Sequence, residues 1–359
     1  MAMPRALQVF AGPRALLHLR ERGLKPADVR VIPAAAGGPK GLILNPLDRY
    51  LFGHWLAGST HTVHLLGASI GAWRMACAML PDADAALAAL AVAYIHQQFD
   101  APTGQWPSAV EVSRVFAQLL QAQFDGQEAR LLAHPRLRLH VFTSRGRGPL
   151  LRSGARWIMP LGYAAAFASN LVRRRALGGW LQRVVFSDPR DALPFGLGDF
   201  ATRRVELTAD NLGTAILASG SIPFVLQPVH HIAGAPSGAY WDGGITDYHL
   251  HLPFAGMTDG LVLYPHFQRA LVPGWLDKGL KHRHGATGFL DNVVVLAPHP
   301  DWVRGLPGGK LPDRADFKAW RHDPAGRIAA WTQAVAAAQQ LADEADGWLA
   351  KPAIDALPL

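Results

Sequence analysis

The sequence predicts an α/β fold with a mostly parallel central sheet and helices on both faces. Apolar segments of strand length alternate with segments of helical periodicity along most of the chain, which is the pattern of repeated strand–helix units. Several strand segments are apolar throughout, as strands buried on both faces are. The 359 residues contain no linker, repeat or low-complexity tract, so we expect a single domain over 1–359.

The predicted strands and helices follow one another from residue 27 onward. Strands are expected at 27–36, 61–66, 137–144, 203–207, 259–266 and 292–298. Helices are expected at 42–58, 71–80, 82–99, 108–124, 208–221 and 323–349. Ser108 and Glu111 have the spacing of a capping box, Thr208 is a good N-cap residue, and Pro324 suits the first position of the last helix.

Charge and cysteine content limit which binding partners and which cellular compartment are expected. Lys and Arg number 35 against 27 Asp and Glu, a net charge of +8 that favours anionic partners such as an acidic lipid surface. Nucleic acid is not expected, because the sequence has no zinc-finger spacing, RNP-like strand or long basic run. The single cysteine, Cys77, excludes an internal disulfide and a thiolate metal cluster. With no secretory apolar segment near residue 1, a cytoplasmic protein is expected.

One serine lies in a turn flanked by glycines. The segment Gly67-Ala68-Ser69-Ile70-Gly71 follows a predicted strand and precedes a predicted helix, which is the required context for a G-x-S-x-G nucleophile elbow. Such a turn is sharp and strained, and small residues let neighbouring backbone pass close to the serine. The helix N-terminus favours developing negative charge. Ser69 is therefore the candidate nucleophile, and the alternative is a tight strand-to-helix turn without chemistry.

A serine nucleophile also needs donors for an oxyanion, and the loop at 34–41 can supply them. Gly37 and Gly38 lie between a predicted strand and a predicted helix, where their N–H groups can point toward one site. Pro39 has no N–H, and Lys40 lies near the helix N-terminus. An ordinary strand-to-helix turn or a phosphate-binding loop is the alternative, although the full P-loop spacing is missing.

A base is needed because a serine at its ordinary pKa is a poor nucleophile. Asp242 precedes Gly243 and Gly244 in the segment 240–254, where tight backbone can point its carboxylate into a cleft. An aspartate pKa of about 3.9 is low for a general base, and partial burial would raise it. The alternative is an Asp-Gly hairpin turn with no catalytic role.

Four sequence blocks together resemble the patatin-like phospholipases. The segments that correspond to the family's glycine-rich loop, G-x-S-x-G elbow, A-S-x-x-x-P block and D-G-G block are, in order, 36–41, 67–71, 217–228 and 242–244. Gly41 closes the first block, and Pro223 and Pro228 are in register in the third. The blocks occur in the family's order, which makes the joint match more specific than any one of them.

The resemblance implies a patatin-like three-layer fold and a Ser–Asp dyad without a catalytic histidine. It makes Ser69 the nucleophile and Asp242 the base, and it assigns Gly37, Gly38 and Lys40 to the oxyanion hole. The implied reaction is hydrolysis of acyl esters in lipids, usually phospholipids or lysophospholipids. The resemblance implies no metal and no cofactor.

One departure and two segments lie outside the resemblance. Ala36 replaces the first glycine of the oxyanion block, and because alanine tolerates positive φ poorly, we expect a differently shaped loop. The segment 156–175 joins an apolar stretch to three arginines. It is expected to form a cap or a membrane-facing insertion within 150–200, and the alternative is a buried core helix with a basic end. The motif-bearing core covers about 27–266, and residues 267–359 form an extension that ends in a long helix.

Two other functions stay open at the level of the sequence. An α/β-hydrolase with a Ser–Asp–His triad needs a histidine after the acid, and the available residues are His249, His251, His282, His284 and His299. A non-catalytic lipid-binding protein on the same fold is the second alternative, which the intact Ser69 and Asp242 disfavour. The H-x-H spacing of the first two histidines has no neighbouring ligand cluster, so a metal site is not expected.

Overall fold

The computed structural model describes residues 5–100, 106–151 and 157–359. Within these ranges one ten-stranded sheet runs through the molecule, and helices pack around it. The strands are β1 (Leu7–Ala11), β2 (Val29–Ala34), β3 (Val63–Ala68), β4 (Leu137–Gly146), β5 (Leu181–Ser187), β6 (Thr202–Glu206), β7 (Tyr240–Asp242), β8 (Leu261–Pro265), β9 (Val293–Pro298) and β10 (Leu357–Pro358).

The α-helices of the described residues lie between the strands and after β9. They are α1 (Pro13–Arg22), α2 (Asn45–Tyr50), α3 (Ile70–Cys77), α4 (Ala83–Ile95), α5 (Ala109–Phe124), α6 (Glu128–Leu132), α7 (Ile158–Val172), α8 (Ala209–Gly220), α9 (Gly244–Asp247), α10 (Pro300–Arg304), α11 (Ala315–Ala319), α12 (Pro324–Ala337) and α13 (Gln339–Leu349).

The centre of the sheet is parallel. The strand order is β10-β1-β9-β8-β2-β3-β4-β5-β6, and the run from β9 to β4 is parallel throughout. β1 pairs antiparallel with β9, and β5 pairs antiparallel with β4. The predicted α/β class with a mostly parallel sheet is therefore confirmed. Three strands, β1, β9 and β10, come from outside the span 27–266, so both ends of the chain contribute to this sheet.

The predicted strands are all present, and the sequence did not predict β1, β5, β7 and β10. β7 and β10 have three and two residues, which is too short for a periodic pattern. β5 carries Gln182 and Arg183 among its apolar residues, which obscures the buried-strand signal. Two helix predictions also need correction. The single helix at 323–349 is wrong, because the chain breaks at Ala338 into α12 and α13.

The second correction concerns the helix at 42–58. The segment is a composite that begins with a 3₁₀ turn at Gly38–Leu44, continues as α2 and ends in a π turn at Leu51–Trp55. Pro46 lies in the first turn of α2, where its missing N–H removes no helical hydrogen bond. The predicted start of α5 is confirmed, since the Ser108 hydroxyl accepts the N–H of Glu111 at 3.1 Å.

One edge of β4 carries two strands in succession, while β5 occupies the other edge. β3 pairs with β4 as far as Ala68, which lies opposite Phe142. The next residue, Thr143, pairs with Asp242 of β7. Because β3 runs parallel to β4 and β7 runs antiparallel to it, the C-terminal ends of β3 and β7 meet at this point. The sheet register therefore brings residues 69 and 242 together.

Helix α3 follows Ser69 and is buried along its whole length. Its one charged residue, Arg74, makes a bidentate ion pair with buried Asp48 of α2, at 2.6 Å from Nε and 2.8 Å from Nη2. A buried charge left without its partner costs about 3–5 kcal/mol, so this pair ties α3 firmly to α2. The helix behind the serine is thereby held in one position.

Helix α7 is buried on one face only. Its buried residues are Gly162, Tyr163, Ala166 and Asn170. On the other side Trp157, Leu161 and Val172 are 72%, 68% and 86% exposed, so a fully buried core helix is excluded. Nowhere in the described ranges is a helix long and apolar enough to cross a membrane. Arg156, the first residue of the predicted segment, lies outside the described residues.

The three arginines that follow α7 have different environments, contrary to the expected single basic cluster. Arg174 makes an ion pair with buried Asp277 at 3.0 Å and donates to the carbonyl of Thr246. Arg173 and Arg175 are exposed. Arg174 therefore anchors the end of α7 to the body of the protein, and the basic surface beside α7 comes from its two neighbours.

Candidate active site

Ser69 and Asp242 are joined by a hydrogen bond where β3 and β7 meet. The Ser69 Oγ donates to Asp242 Oδ2 at 2.7 Å, and the two residues are only 4% and 5% exposed. The other carboxylate oxygen, Oδ1, accepts the backbone N–H of Gly244 at 2.7 Å. The carboxylate is therefore fixed by one bond, while its second oxygen is directed at the serine hydroxyl.

The backbone of Ser69 has the strained geometry expected of a nucleophile elbow. Its φ is 55° and its ψ −130°, a conformation that residues other than glycine rarely adopt. Neighbouring backbone lies very close on both sides. A Cβ on Gly67 would lie 2.3 Å from the Cα of Ala72, and a Cβ on Gly71 would lie 2.0 Å from the carbonyl oxygen of Ala34. Both glycines of the motif are required by this packing.

Ser219 supports the turn from a distant part of the chain. Its hydroxyl accepts the N–H of Ser69 at 2.9 Å and donates to the carbonyl of Phe142 at 2.7 Å. The carbonyls of Ser219 and Ser221 accept the N–H groups of Gly243 and Asp242. The end of α8 thus holds both sides of the Ser69–Asp242 pair in place. The sequence signal was available, because these serines lie in the A-S-x-x-x-P block.

Burial raises the pKa of the Asp242 carboxyl above its ordinary value. The positive charge of Arg314, the Ser69 hydroxyl and the Gly244 N–H oppose this effect in that order. Gly243 lets β7 pack against β4, since a Cβ there would lie 2.0 Å from the carbonyl oxygen of Phe142. The arrangement gives Asp242 a greater affinity for a proton than an exposed aspartate has, which suits a general base.

The glycine-rich loop reaches the same place from the end of β2. Gly38 has a positive φ of 56° and lines a small pocket together with Ser69. Its N–H has no acceptor among the described residues. The N–H of Ala36 donates to the carbonyl of Tyr248 at 2.9 Å, and Ala36 does not have a positive φ. The left-handed conformation in this loop therefore falls on Gly38, and the alanine at position 36 is not strained.

The other residues of the loop do not line the Ser69 pocket. Gly37 has an extended φ of 168°, and Phe267 packs so close that a Cβ there would lie 2.6 Å from the ring. Gly41 packs on Ile70, behind the serine. The Lys40 ammonium lies 5.6 Å from the centre of the Phe267 ring, and its side chain does not line the Ser69 pocket. Of the three predicted oxyanion residues, Gly38 alone lines the Ser69 pocket.

None of the five candidate histidines makes a hydrogen bond to Ser69 or Asp242 in the described residues. Burial lowers the pKa of His249 well below its ordinary value, and its Nδ1 accepts the N–H of Val272 at 2.9 Å. His251 is bonded through both ring nitrogens, to Leu271 and Thr287. His284 bonds the carbonyl of Asp277, His299 caps α10, and His282 is exposed.

The described residues contain no group of three or more His, Cys, Asp or Glu side chains that could hold a metal ion. His249 and His251 point to different partners, since the first packs against His266 and Phe267 while the second bonds Thr287. The H-x-H pair therefore does not converge on one point.

A cavity of about 580 Å³ adjoins the Ser69 pocket. The two share Tyr94, Phe116, Ile222 and Arg314. The cavity walls are mostly apolar and come from α4, α5, the segment after α8, and α11 with α12; they include Phe99, Val112, Leu226 and Phe317. This volume is within the usual range for small-molecule sites, roughly 300–1,000 Å³. The buried dyad thus lies beside a space that can hold an apolar chain.

Two cationic residues near the dyad were not predicted. Arg314 lines the large cavity, the Ser69 pocket and a third pocket lined by Asp242. The Lys278 ammonium lies 4.1 Å from the centre of the Tyr248 ring, which also lines the third pocket. Both residues belong to the last third of the chain and sit in no recognisable motif, so the sequence offered no local signal for them.

Comparisons with known proteins give only distant likenesses, and these are to solved structures. No family model and no curated protein matches the sequence. One of these likenesses is to the crystal structure of VipD from Legionella pneumophila, with 12% sequence identity and a TM-score of 0.35. The match covers 88% of this chain and 67% of the VipD chain. A likeness at this level does not assign the chain to a family.

Proposed function

We propose that this protein is a serine hydrolase that cleaves acyl esters of lipids, with Ser69 as nucleophile and Asp242 as general base. The observation that carries the proposal is the 2.7 Å hydrogen bond between the Ser69 Oγ and Asp242 Oδ2. The strained turn, the buried carboxylate and the adjoining apolar cavity support it. The motif resemblance to the patatin-like phospholipases points to the same chemistry.

The geometry supports a two-step reaction. As the Ser69 Oγ attacks the ester carbonyl, its proton passes to Asp242, and the negative charge develops on the former carbonyl oxygen. The N–H of Gly38 and the N-terminus of α3 are the donors available for this oxyanion. Asp242 then gives the proton to the departing alkoxide, leaving an acyl-serine. Water, deprotonated by Asp242, attacks the acyl group, and Ser69 recovers its proton as the carboxylic acid leaves.

The substrate class follows from the cavity beside the dyad. Its aromatic and aliphatic walls would bury an acyl chain, while the ester carbonyl lies near Ser69. Apolar burial contributes about 0.8 kcal/mol for each methylene removed from water. Esters with longer chains should therefore bind more tightly than short ones. Hydrolysis of p-nitrophenyl acetate, octanoate and dodecanoate by the wild type tests this preference for longer chains. The same assay with Ser69→Ala tests the role of the serine.

We also propose that α7 forms part of a cap that docks on a lipid surface. The cap lies within the range 150–200. The exposed side chains of Trp157, Leu161 and Val172 provide apolar area, and Arg173 and Arg175 provide positive charge. The surface reaches the substrate cavity through Phe224, whose ring lies 5.6 Å from that of Tyr163 in α7. Its neighbours Ile222 and Val225 line the cavity, so a docked protein would have the cavity mouth near the lipid.

The two alternatives are less well supported. A triad needs a histidine within hydrogen-bond reach of the serine or the acid, and the five candidates are bonded elsewhere or exposed. A purely lipid-binding role leaves the strained backbone of Ser69 without a purpose. Ester hydrolysis that disappears in Ser69→Ala and in Asp242→Asn, with thermal melts no lower than that of the wild type, distinguishes the dyad from both alternatives.

A further inference from the structure

We infer that Arg314 and Lys278 form a binding subsite for a phosphate group of the substrate, next to the dyad. The inference rests on the proposed function and assigns residues to the phosphate of the phospholipid substrate that the sequence resemblance implies. Both residues lie in the part of the chain that the sequence blocks do not cover. Both lie near the dyad, and neither makes an ion pair with a described residue.

Arg314 is positioned at the opening between the catalytic pair and the acyl cavity. A Cβ on Gly38 would lie 3.1 Å from its Nε and 3.6 Å from its Nη2, so the guanidinium borders the glycine loop. It also lines the pockets of Ser69 and Asp242. An anionic group attached to an ester bound at Ser69 would therefore lie within reach of the guanidinium.

Lys278 lies near Asp242 as well, because its positive charge opposes the rise that burial causes in the pKa of that carboxyl. Its ammonium lies over the ring of Tyr248, and Tyr248 lines the pocket of Asp242 together with Arg314 and Trp275. Burial lowers the pKa of Lys278, and the positive charge of Arg314 lowers it further, to about 8. The two cations are thus close enough to repel each other.

Neither cation has an ion pair within 4 Å among the described residues, in contrast with Arg74, Arg174 and Arg183, which each have one. The carboxylate near both of them, Asp242, is already bonded to Ser69 and Gly244. Lys40 adds a third positive charge nearby, and Asp313, whose charge opposes the lowering of the Lys40 pKa by burial, is paired with Lys310 at 3.0 Å. A bound anion would relieve this repulsion.

Phosphate fits this arrangement better than a single carboxylate does. The planar guanidinium of Arg314 can make two parallel hydrogen bonds to phosphate oxygens, and the Lys278 ammonium can contact a third oxygen as a point charge. In glycerophospholipids the phosphate is separated from the nearest ester by only a few bonds. One molecule can therefore place its carbonyl at Ser69, its acyl chain in the cavity and its phosphate beside Arg314, with Lys278 adding positive charge nearby.

A binding experiment tests the subsite without requiring catalysis. Calorimetry with Ser69→Ala protein compares decyl phosphate, decanol and inorganic phosphate. We expect decyl phosphate to bind at least tenfold more tightly than either other probe, and Arg314→Gln or Lys278→Gln to reduce this preference at least tenfold. Lys318→Gln, exposed and one turn further along α11, is the matched control and should keep it. Inorganic phosphate that binds as tightly as decyl phosphate would indicate a free-anion site and overturn the inference.

Kinetics separate the subsite from the oxyanion hole. The ratio of kcat/KM for a monoacylglycerol phosphate to that for the monoacylglycerol with the same chain should fall at least tenfold in Arg314→Gln, and Arg314→Lys should restore part of it. An equal loss of kcat with both substrates would mean that Arg314 stabilises the oxyanion, and the inference would be wrong. If the wild type hydrolyses no ester, the proposed function fails, and the calorimetry still decides the subsite.

Discussion

Ser69 and Asp242 lie at the C-terminal ends of two strands that meet head to head on one edge of β4. Ala68 pairs with Phe142, and Asp242 pairs with the next residue, Thr143. The 2.7 Å bond between the two side chains is therefore set by sheet register as well as by local turns. A one-residue shift of β7 would turn the Asp242 side chain to the opposite face of the sheet.

The replacement Asp242→Asn should abolish hydrolysis and stabilise the fold. We expect a loss in kcat/KM of about a thousandfold or more, because an amide cannot accept the serine proton. Burial disfavours the charged form of Asp242, so removing the charge should raise the Tm at pH 7 by about 2 °C. Ester hydrolysis and differential scanning calorimetry measure the two effects. Full activity in this variant would contradict the assignment of the base.

Activity should depend on pH through the carboxylate of Asp242. Because burial raises its pKa, the base becomes protonated at a higher pH than an exposed aspartate does. The value of kcat/KM should fall tenfold per pH unit on the acid side of this pKa, which should lie above about 4. Arg314→Gln removes the largest opposing charge, so the acid limb should move to higher pH. An acid limb at or below pH 4 in the wild type would argue against a buried base.

The histidines should be dispensable for catalysis. Replacing His251, His282, His284 or His299 singly by Asn should change kcat/KM by no more than about threefold, since none bonds the dyad. His249 is fully enclosed, so His249→Gln is compared with the wild type at equal folded fraction, verified by a thermal melt. A loss of about a thousandfold in any folded variant would instead favour a triad.

Docking on anionic lipid should depend on two of the three arginines after α7. The double variant Arg173→Gln/Arg175→Gln should bind vesicles of phosphatidylserine and phosphatidylcholine about thirtyfold more weakly at low salt, since each charge contributes about 1 kcal/mol near the surface. The difference should shrink as salt screens the attraction.

The matched control for that experiment is Arg203→Gln/Arg204→Gln, which removes two exposed charges from β6 at the far edge of the sheet. Co-sedimentation across a salt series measures both variants. Equal binding by wild type and by both double variants would remove the lipid-docking role of α7. Arg174 is left unchanged, because it pairs with Asp277 inside the fold.

The sequence predicted those features that depend on residues close together in the chain. The buried strands and the glycine-flanked turn at Ser69 are such features, because apolar runs and small residues leave a contiguous pattern. Asp242 was found because two glycines follow it. By contrast, β7 is only three residues long. It can follow β3 along the same edge of β4 because β4 is ten residues long.

Other features depend on residues brought together only by folding. Ser219 bonds the backbone of Ser69 across 150 positions of sequence, and Arg314 reaches the glycine loop from the end of the chain. Neither contact can be read from sequence periodicity, although Ser219 itself lies in the A-S-x-x-x-P block. The sequence also does not show which face of α7 is exposed. A helix that is apolar on all sides has no periodicity that separates its buried face from its exposed face.

The most direct test of the central claim is covalent labelling of the serine. A fluorophosphonate probe reacts with an activated serine and leaves a stable adduct that peptide mass spectrometry can locate. The account predicts an adduct on Ser69 in the wild type, none in Ser69→Ala, and labelling at least a hundredfold slower in Asp242→Asn. An adduct on another serine, equal labelling of the Asp242→Asn variant, or no adduct on folded wild-type protein would contradict the account.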